Sequence, residues 1–145
     1  MKTNIKQKTR DYLKSEGAIV GNVEFWNKYS RKSVDLFNLF DLIAIFNHSV
    51  IGIQTTSQEH LKEHHQKMIN NKILFAWLDT DQSAWLLTWK KKKIKRGGKK
   101  FKWIPQIREY YLMDYQEAKE ENRERSSLKV NNQVIVWSDT KFRLF

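Results

Sequence analysis

Apolar residues crowd the middle of the chain. Residues 39–46 and 50–53 are short, almost continuously apolar runs separated by Asn47, His48 and Ser49, the pattern of strands covered on both faces. With Asn47-His48 as a two-residue turn, the runs pair as a hairpin in which Phe46 faces Ser49, Ile45 faces Val50 and Asp41 faces Gln54. Thr56 then shares the face of Gln54, and all three lie at the open end of the hairpin. A carboxylate in an apolar strand is costly to bury without a partner, so Asp41 is either a cap at a solvated edge or part of a site.

The flanking segments supply the rest of a sheet. Thr3 caps a helix that runs to about residue 15, with Ile5, Tyr12 and Leu13 on its apolar side and Gly17 ending it. Residues 18–26 alternate as a strand, with Ile19, Val23 and Phe25 on one face and Val20, Glu24 and Trp26 on the other. A polar loop over 27–33 carries Lys28, Arg31 and Lys32. Asp35 reads either as an acid supporting the site or as the N-cap of one turn through Leu36, Phe37 and Asn38. Ser57 caps a helix over 58–70 whose inner face is Leu61, His65, Met68 and Ile69. The positive end of that helix points at Gln54 and Thr56, which favours a phosphate there.

Residues 72–78 read as a buried strand entered after that crossover helix. Residues 84–96 and 99–112 pair about Gly97-Gly98, so that Ile94 faces Phe101, Lys92 faces Trp103, Lys95 faces Lys100 and Lys93 faces Lys102. Pro105 marks the second strand as an edge or bulged one. A charged helix over 114–125 and a terminal hairpin about Asn131-Asn132 complete the chain. The order predicts a single α/β domain with a central mixed sheet and a long basic β-hairpin.

Charge changes the picture more than composition does. The chain has 145 residues, 40% of them hydrophobic and 13% aromatic, enough for one domain with a real core. It carries 27 Lys and Arg against 16 Asp and Glu, a formal net charge of +11, which favours a polyanion as partner. Nine of the basic residues and no acid fall between Lys90 and Lys102, so the remaining 18 nearly balance the 16 acids. Like charges facing one another across a hairpin repel, and DNA phosphates supply a reason for such a ladder. Lys91, Lys93, Lys95, Arg96, Lys99, Lys100 and Lys102, with Trp103 for stacking and Arg31 and Lys32 from the polar loop, are the candidate nucleic-acid contacts. The plainer alternative is that the lysines keep an exposed hairpin from pairing with another chain.

The absence of cysteine excludes disulfides and thiolate zinc sites. No run approaches a membrane span and the first residues have no apolar signal region, so the expectation is a cytoplasmic protein without membrane contact. His60 and His64 have metal-ligand spacing, but Leu61 occupies the place where a zinc-protease helix needs glutamate.

At this point the residues resemble a known family. An Asp opening one strand, a hairpin, and then a triplet ending the next strand just before a helix is the pattern of the PD-(D/E)XK nuclease superfamily. The run VDLFNLFDLIAI followed by GIQTTS is similar to the small phage-type and Holliday-junction-resolvase-like members, over roughly residues 9–113. The resemblance implies a restriction-endonuclease-like αβββαβ core over 1–113, with residues 114–145 as an extension of the same domain. It also implies a phage-borne, magnesium- or manganese-dependent deoxyribonuclease acting on duplex or branched DNA in the host cytoplasm, as a homodimer if it follows its resolvase-like relatives. The metal would be held by Asp41, the Gln54 carbonyl and the backbone carbonyl of Thr55, with Glu24 or Asp35 adding an acid and Thr56 orienting the water. Here Gln54 stands where the pattern has its second acid and Thr56 where it has lysine, and Lys62 or Lys67 on the following helix could reach back to replace that lysine. Two other readings follow from that departure: a nuclease fold kept as a nucleic-acid-binding module, and a basic adaptor or inhibitor that binds an acidic protein.

Overall fold

The computed structural model describes residues 4–123 and 128–141. They form a mixed α/β domain around a seven-stranded sheet. In chain order the elements are α1 (Ile5–Ser15), β1 (Ile19–Asn22), β2 (Phe25–Asn27), β3 (Lys32–Val34), β4 (Leu42–Phe46) and β5 (Ser49–Ser57). A 3-10 turn (Gln58–His60) leads into α2 (Leu61–Ile69), α3 (Lys72–Leu78), β6 (Ser83–Lys93), β7 (Phe101–Asp114), α4 (Tyr115–Glu120), β8 (Lys129–Val130) and β9 (Gln133–Lys141). The sheet order is β1-β4-β5-β6-β7-β9-β8, while β2 and β3 form a separate ribbon. Among the described residues only β5 and β6 are parallel, because α2 and α3 carry the chain back across the sheet between them.

Both sheet faces are covered, which explains the unbroken apolar runs. On one face α1 lays Tyr12 and Leu13 over Leu42, Ala44, Ile53, Leu87 and Trp89. On the other, α2 and α3 lay Met68, Ile69, Leu74 and Phe75 over Leu39, Phe40, Leu86, Tyr110 and Ile135. His65 belongs to this second core: its Nδ1 lies 2.8 Å from the Tyr110 hydroxyl, and burial pushes its pKa down to about 4. Among the described residues no helix is long and apolar enough to cross a membrane.

Several expectations need correction. Residues 72–78 are a helix, not a strand: the Asn71 side chain accepts a hydrogen bond from Ile73 N–H, and Leu74 and Phe75 face the sheet while Ile73 is exposed. The strand expected over 18–26 breaks after Asn22, whose side chain bonds both the N–H and the carbonyl of Glu24. The chain then turns into the β2–β3 ribbon through what reads as a loop. Asn4 caps α1, whereas Thr3 lies outside the described residues. Ser57 makes no capping hydrogen bond, and a 3-10 turn begins the second helix. The charged helix is short, Tyr115–Glu120, capped by Asp114, and β9 pairs with β7 along nine residues instead of only closing a terminal hairpin.

The basic hairpin is offset by one residue from its expected register. Lys91 pairs with Trp103, Lys92 with Lys102 and Lys93 with Phe101, not Ile94 with Phe101 or Lys92 with Trp103. Only Gly97 takes a positive φ (77°), so the two-residue turn that needs both central residues left-handed does not form. Instead Ile94 N–H donates to the Lys100 carbonyl and closes a wider loop over 95–99, inside which Gly98 N–H donates to the Lys95 carbonyl. A one-residue slip exchanges every cross-strand partner. The like-charge ladder reduces to Lys92 opposite Lys102, while Lys91 and Lys93 stand opposite Trp103 and Phe101, with Lys91 Nζ 4.5 Å from the Phe101 centroid.

One close approach links the two sequence motifs. A Cβ on Gly52 would stand 2.6 Å from the ring of Phe40, which is wholly buried and cannot turn aside. Gly52→Ala is therefore expected to destabilise the fold by about 1–3 kcal/mol in denaturant titrations. Gly21→Ala, where a Cβ meets nothing within 4 Å, should cost much less; equal losses would contradict this packing.

Candidate active site

The β4–β5 hairpin fixes the scaffold. Asn47 and His48 have φ of 49° and 63°, the mirror-image turn expected of a two-residue loop, and the register from Phe46↔Ser49 to Leu42↔Ile53 follows from it. The ladder does not continue to an Asp41–Gln54 pair. Asp41 N–H donates to the Ile53 carbonyl at 3.0 Å, so Asp41 and Leu42 both stand opposite Ile53 in a bulge, a device that re-aims a side chain at a strand end. Phe40 locked over Gly52 on one side and Val23 N–H donating to the Asp41 carbonyl on the other hold this position. Asp41 is 6% exposed, and its Oδ1 has no hydrogen-bond partner among the described residues.

Two more carboxyls reach the same place through the ribbon. Phe25 pairs with Val34, so the residues just outside that pair, Glu24 and Asp35, face each other and their side chains hydrogen-bond. Asp35 is not a helix cap. It enters a tight turn in which Leu36 and Phe40 exchange backbone hydrogen bonds, while Phe37 and Asn38 take φ of 56° and 58°. A phenylalanine in that region is strained, and Asn71 Nδ2 pins it by donating to the Phe37 carbonyl at 3.2 Å. Lys6 of α1 places its Nζ 3.0 Å from Glu24 Oε1. Nothing in the polar first turn of α1 marked Lys6 beforehand, because its partner is brought in by a ribbon that reads as loop.

Electrostatics follow from this crowding. Burial raises Glu24, but hydrogen bonds from Lys6 and Asp35 together with the Lys6 charge outweigh it and leave that carboxyl below its usual range. Burial, then the hydrogen bond and charge of Glu24, push Asp35 above its usual range, against the pull of Lys67 and Lys6. Burial, then the charges of Asp35 and Glu24, raise Asp41 to about 7.

Gln54 joins the cluster through Asp35. Its neighbours fix its amide orientation: the NH2 faces two acceptors, Asp35 Oδ2 at 3.1 Å and the Leu39 carbonyl at 2.6 Å, and the carbonyl oxygen faces His64 Nδ1 at 3.3 Å. His64 is held below its usual pKa by burial first and then by Lys67. Thr55 turns the other way, 2.6 Å from Thr9 Oγ1 under α1, with Thr9 also accepting from Trp89 Nε1. Thr56 lies beside Thr88 on the neighbouring strand. Lys67 acts on Asp35 and His64, whereas Lys62 is exposed on α2 and His60 pairs with Glu63.

The basic ribbon leaves the same end of the sheet. Ser57, the last residue of β5, pairs with Trp89, so Lys90 to Lys93 and their β7 partners extend past it. Lys91, Lys93, Lys95, Arg96, Lys99, Lys100 and Lys102 are exposed, as are Arg31 and Lys32 on the β2–β3 ribbon. Trp103 packs partly buried against the α1 core, with Lys8 Nζ 5.4 Å from its centroid. Comparison with protein-family models, curated proteins and solved structures returned no match for this chain.

Proposed function

We propose that this chain is a metal-dependent DNA endonuclease of the PD-(D/E)XK type. The observation that carries the reading is the carboxyl cluster of Glu24, Asp35 and Asp41, with an unpartnered, buried Asp41 Oδ1, at the sheet end from which the lysine ribbon projects. With the β2–β3 ribbon and α3 as insertions, the order α1, β1, β4, β5, α2, β6 agrees with an αβββαβ core in which β6 takes the place expected of residues 72–78, and the basic excess agrees with a polyanionic substrate.

The donor chemistry fits magnesium or manganese, since every candidate ligand is oxygen. Among the described residues no three His, Asp or Glu side chains are set closely enough to hold an ion as they stand. Asp41 would hold it with Asp35 or Glu24 and the Thr55 carbonyl. Gln54 positions Asp35 through its NH2, and its carbonyl would reach an ion only by leaving His64. When bound, such an ion lowers the pKa of a coordinated water and neutralises charge on the scissile phosphate. Lys6 and Lys67, from two helices, supply the positive charge that the pattern's lysine would bring, and Thr56 offers a hydroxyl to orient the water. Magnesium-dependent cleavage of DNA that disappears in Asp41→Ala tests this reading.

The Gln54–Asp35 hydrogen bond favours a second reading, in which the fold is kept for its grip on nucleic acid. The amide then replaces the acid that would help hold the ion.

A further inference from the structure

The β2–β3 ribbon has a surface that hydrolysis at the carboxyl cluster does not use. It presents Phe25 and Trp26 on its two opposite faces and Tyr29 in its turn, at 58, 64 and 88% exposure, on a strand pair of three residues each. A ribbon this short is not stable by itself and gains nothing from aromatic rings held in water. Its tip is nevertheless firmly built: Asn27 accepts from Tyr29 N–H at 2.9 Å and Ser30 N–H at 3.3 Å through its side chain, and from Arg31 N–H at 2.8 Å through its carbonyl. Between Glu24 and Asp35 there is no acid, and Lys28, Arg31 and Lys32 are all exposed.

Exposed rings interleaved with cations on a rigid ribbon match one occupant best, unpaired nucleotides, whose bases stack on aromatic faces while their phosphates meet the lysines. Bases inside a duplex offer no free face. We infer that the β2–β3 ribbon is a stacking finger for unpaired bases, which makes the preferred substrate DNA with a single-stranded tail, flap or junction. This rests on the nucleic-acid part of the reading above. The two ends of the ribbon are Glu24 and Asp35, so a nucleotide held on it lies beside the carboxyl cluster.

The test measures binding, by fluorescence anisotropy in EDTA, to blunt duplex, forked duplex and single-stranded oligonucleotides of one length. The chain should prefer the forked and single-stranded forms. Tyr29→Ala and a Phe25→Ala/Trp26→Ala/Tyr29→Ala variant should lose that preference, by between about fivefold and a hundredfold per stacked base, with blunt-duplex affinity unchanged and Trp26→Phe behaving like the parent. A 2-aminopurine placed in the unpaired segment should be quenched by the parent and not by the triple variant. Unchanged affinity for all three DNAs, or an equal loss on all three, would overturn the inference. Because the assay contains no metal, its failure leaves the nuclease reading standing, and a failure to cleave leaves the finger standing.

Discussion

Asp41→Asn is expected to make the metal-free protein more stable at pH 8. Burial and the neighbouring acids raise this carboxyl from 3.8 to about 7, so between those values the folded chain binds a proton that the unfolded chain has lost. Stability due to this group is therefore complete below about pH 4, falls as pH rises, and is fully lost above about pH 7. Three pH units correspond to about 4 kcal/mol, or on the order of 10 °C in Tm for a domain of this size. Asparagine stays neutral throughout, and its NH2 can donate among acceptors that repel a carboxylate. Glu24, Asp35, Lys6, Lys67 and His64 remain in both proteins, so the difference between the two melts reports Asp41 together with its coupling to the neighbouring acids. The curves should coincide near pH 4 and separate by pH 8, and magnesium should narrow the gap at pH 8 by stabilising the parent alone. A gap that does not depend on pH would contradict the raised carboxyl.

The second large effect concerns the ribbon. Replacing Lys91, Lys93, Lys95, Arg96, Lys99 and Lys100 with serine should weaken DNA binding on the order of a thousandfold near 0.1 M salt, to a similar degree for every sequence. The slope of log affinity against log salt should flatten by about 0.9 for each phosphate that the variant no longer neutralises. If the lysines served only to keep the hairpin from pairing with other chains, affinity and slope would stay as they are and the variant would aggregate instead.

The hairpin that organises the site was legible because its turn residues and its apolar runs agree. Asn47 and His48 tolerate the left-handed turn, and that turn sets the register from Phe46 to Leu42. Where the pattern had no period, it misled: residues 72–78 are too short an apolar run to separate strand from helix, and the decisive signal was Asn71, a good N-cap. Gly97-Gly98 allows more than one turn, and backbone geometry chose the wider one, shifting the lysines by one place. In the candidate site, Asp41 and Gln54 were legible as neighbours at one sheet end but not in how they meet. A bulge removes their direct pairing, and Asp35 links Gln54 to the cluster. Glu24 and Asp35 come together only because 25–27 and 32–34 pair across a short turn, and the sequence hint was the pair of three-residue extended segments around Lys28 to Arg31. Lys6 and Thr9 stayed hidden because their partners are distant in sequence.

The most direct test of the central claim is cleavage of labelled duplex, forked and single-stranded DNA with magnesium or manganese, by the parent and by Asp41→Ala purified in parallel. Metal-dependent cutting by the parent that disappears in the variant, with DNA affinity retained in both, is the predicted result. Tight binding without cutting by the parent, or cutting that survives the loss of Asp41, would contradict it.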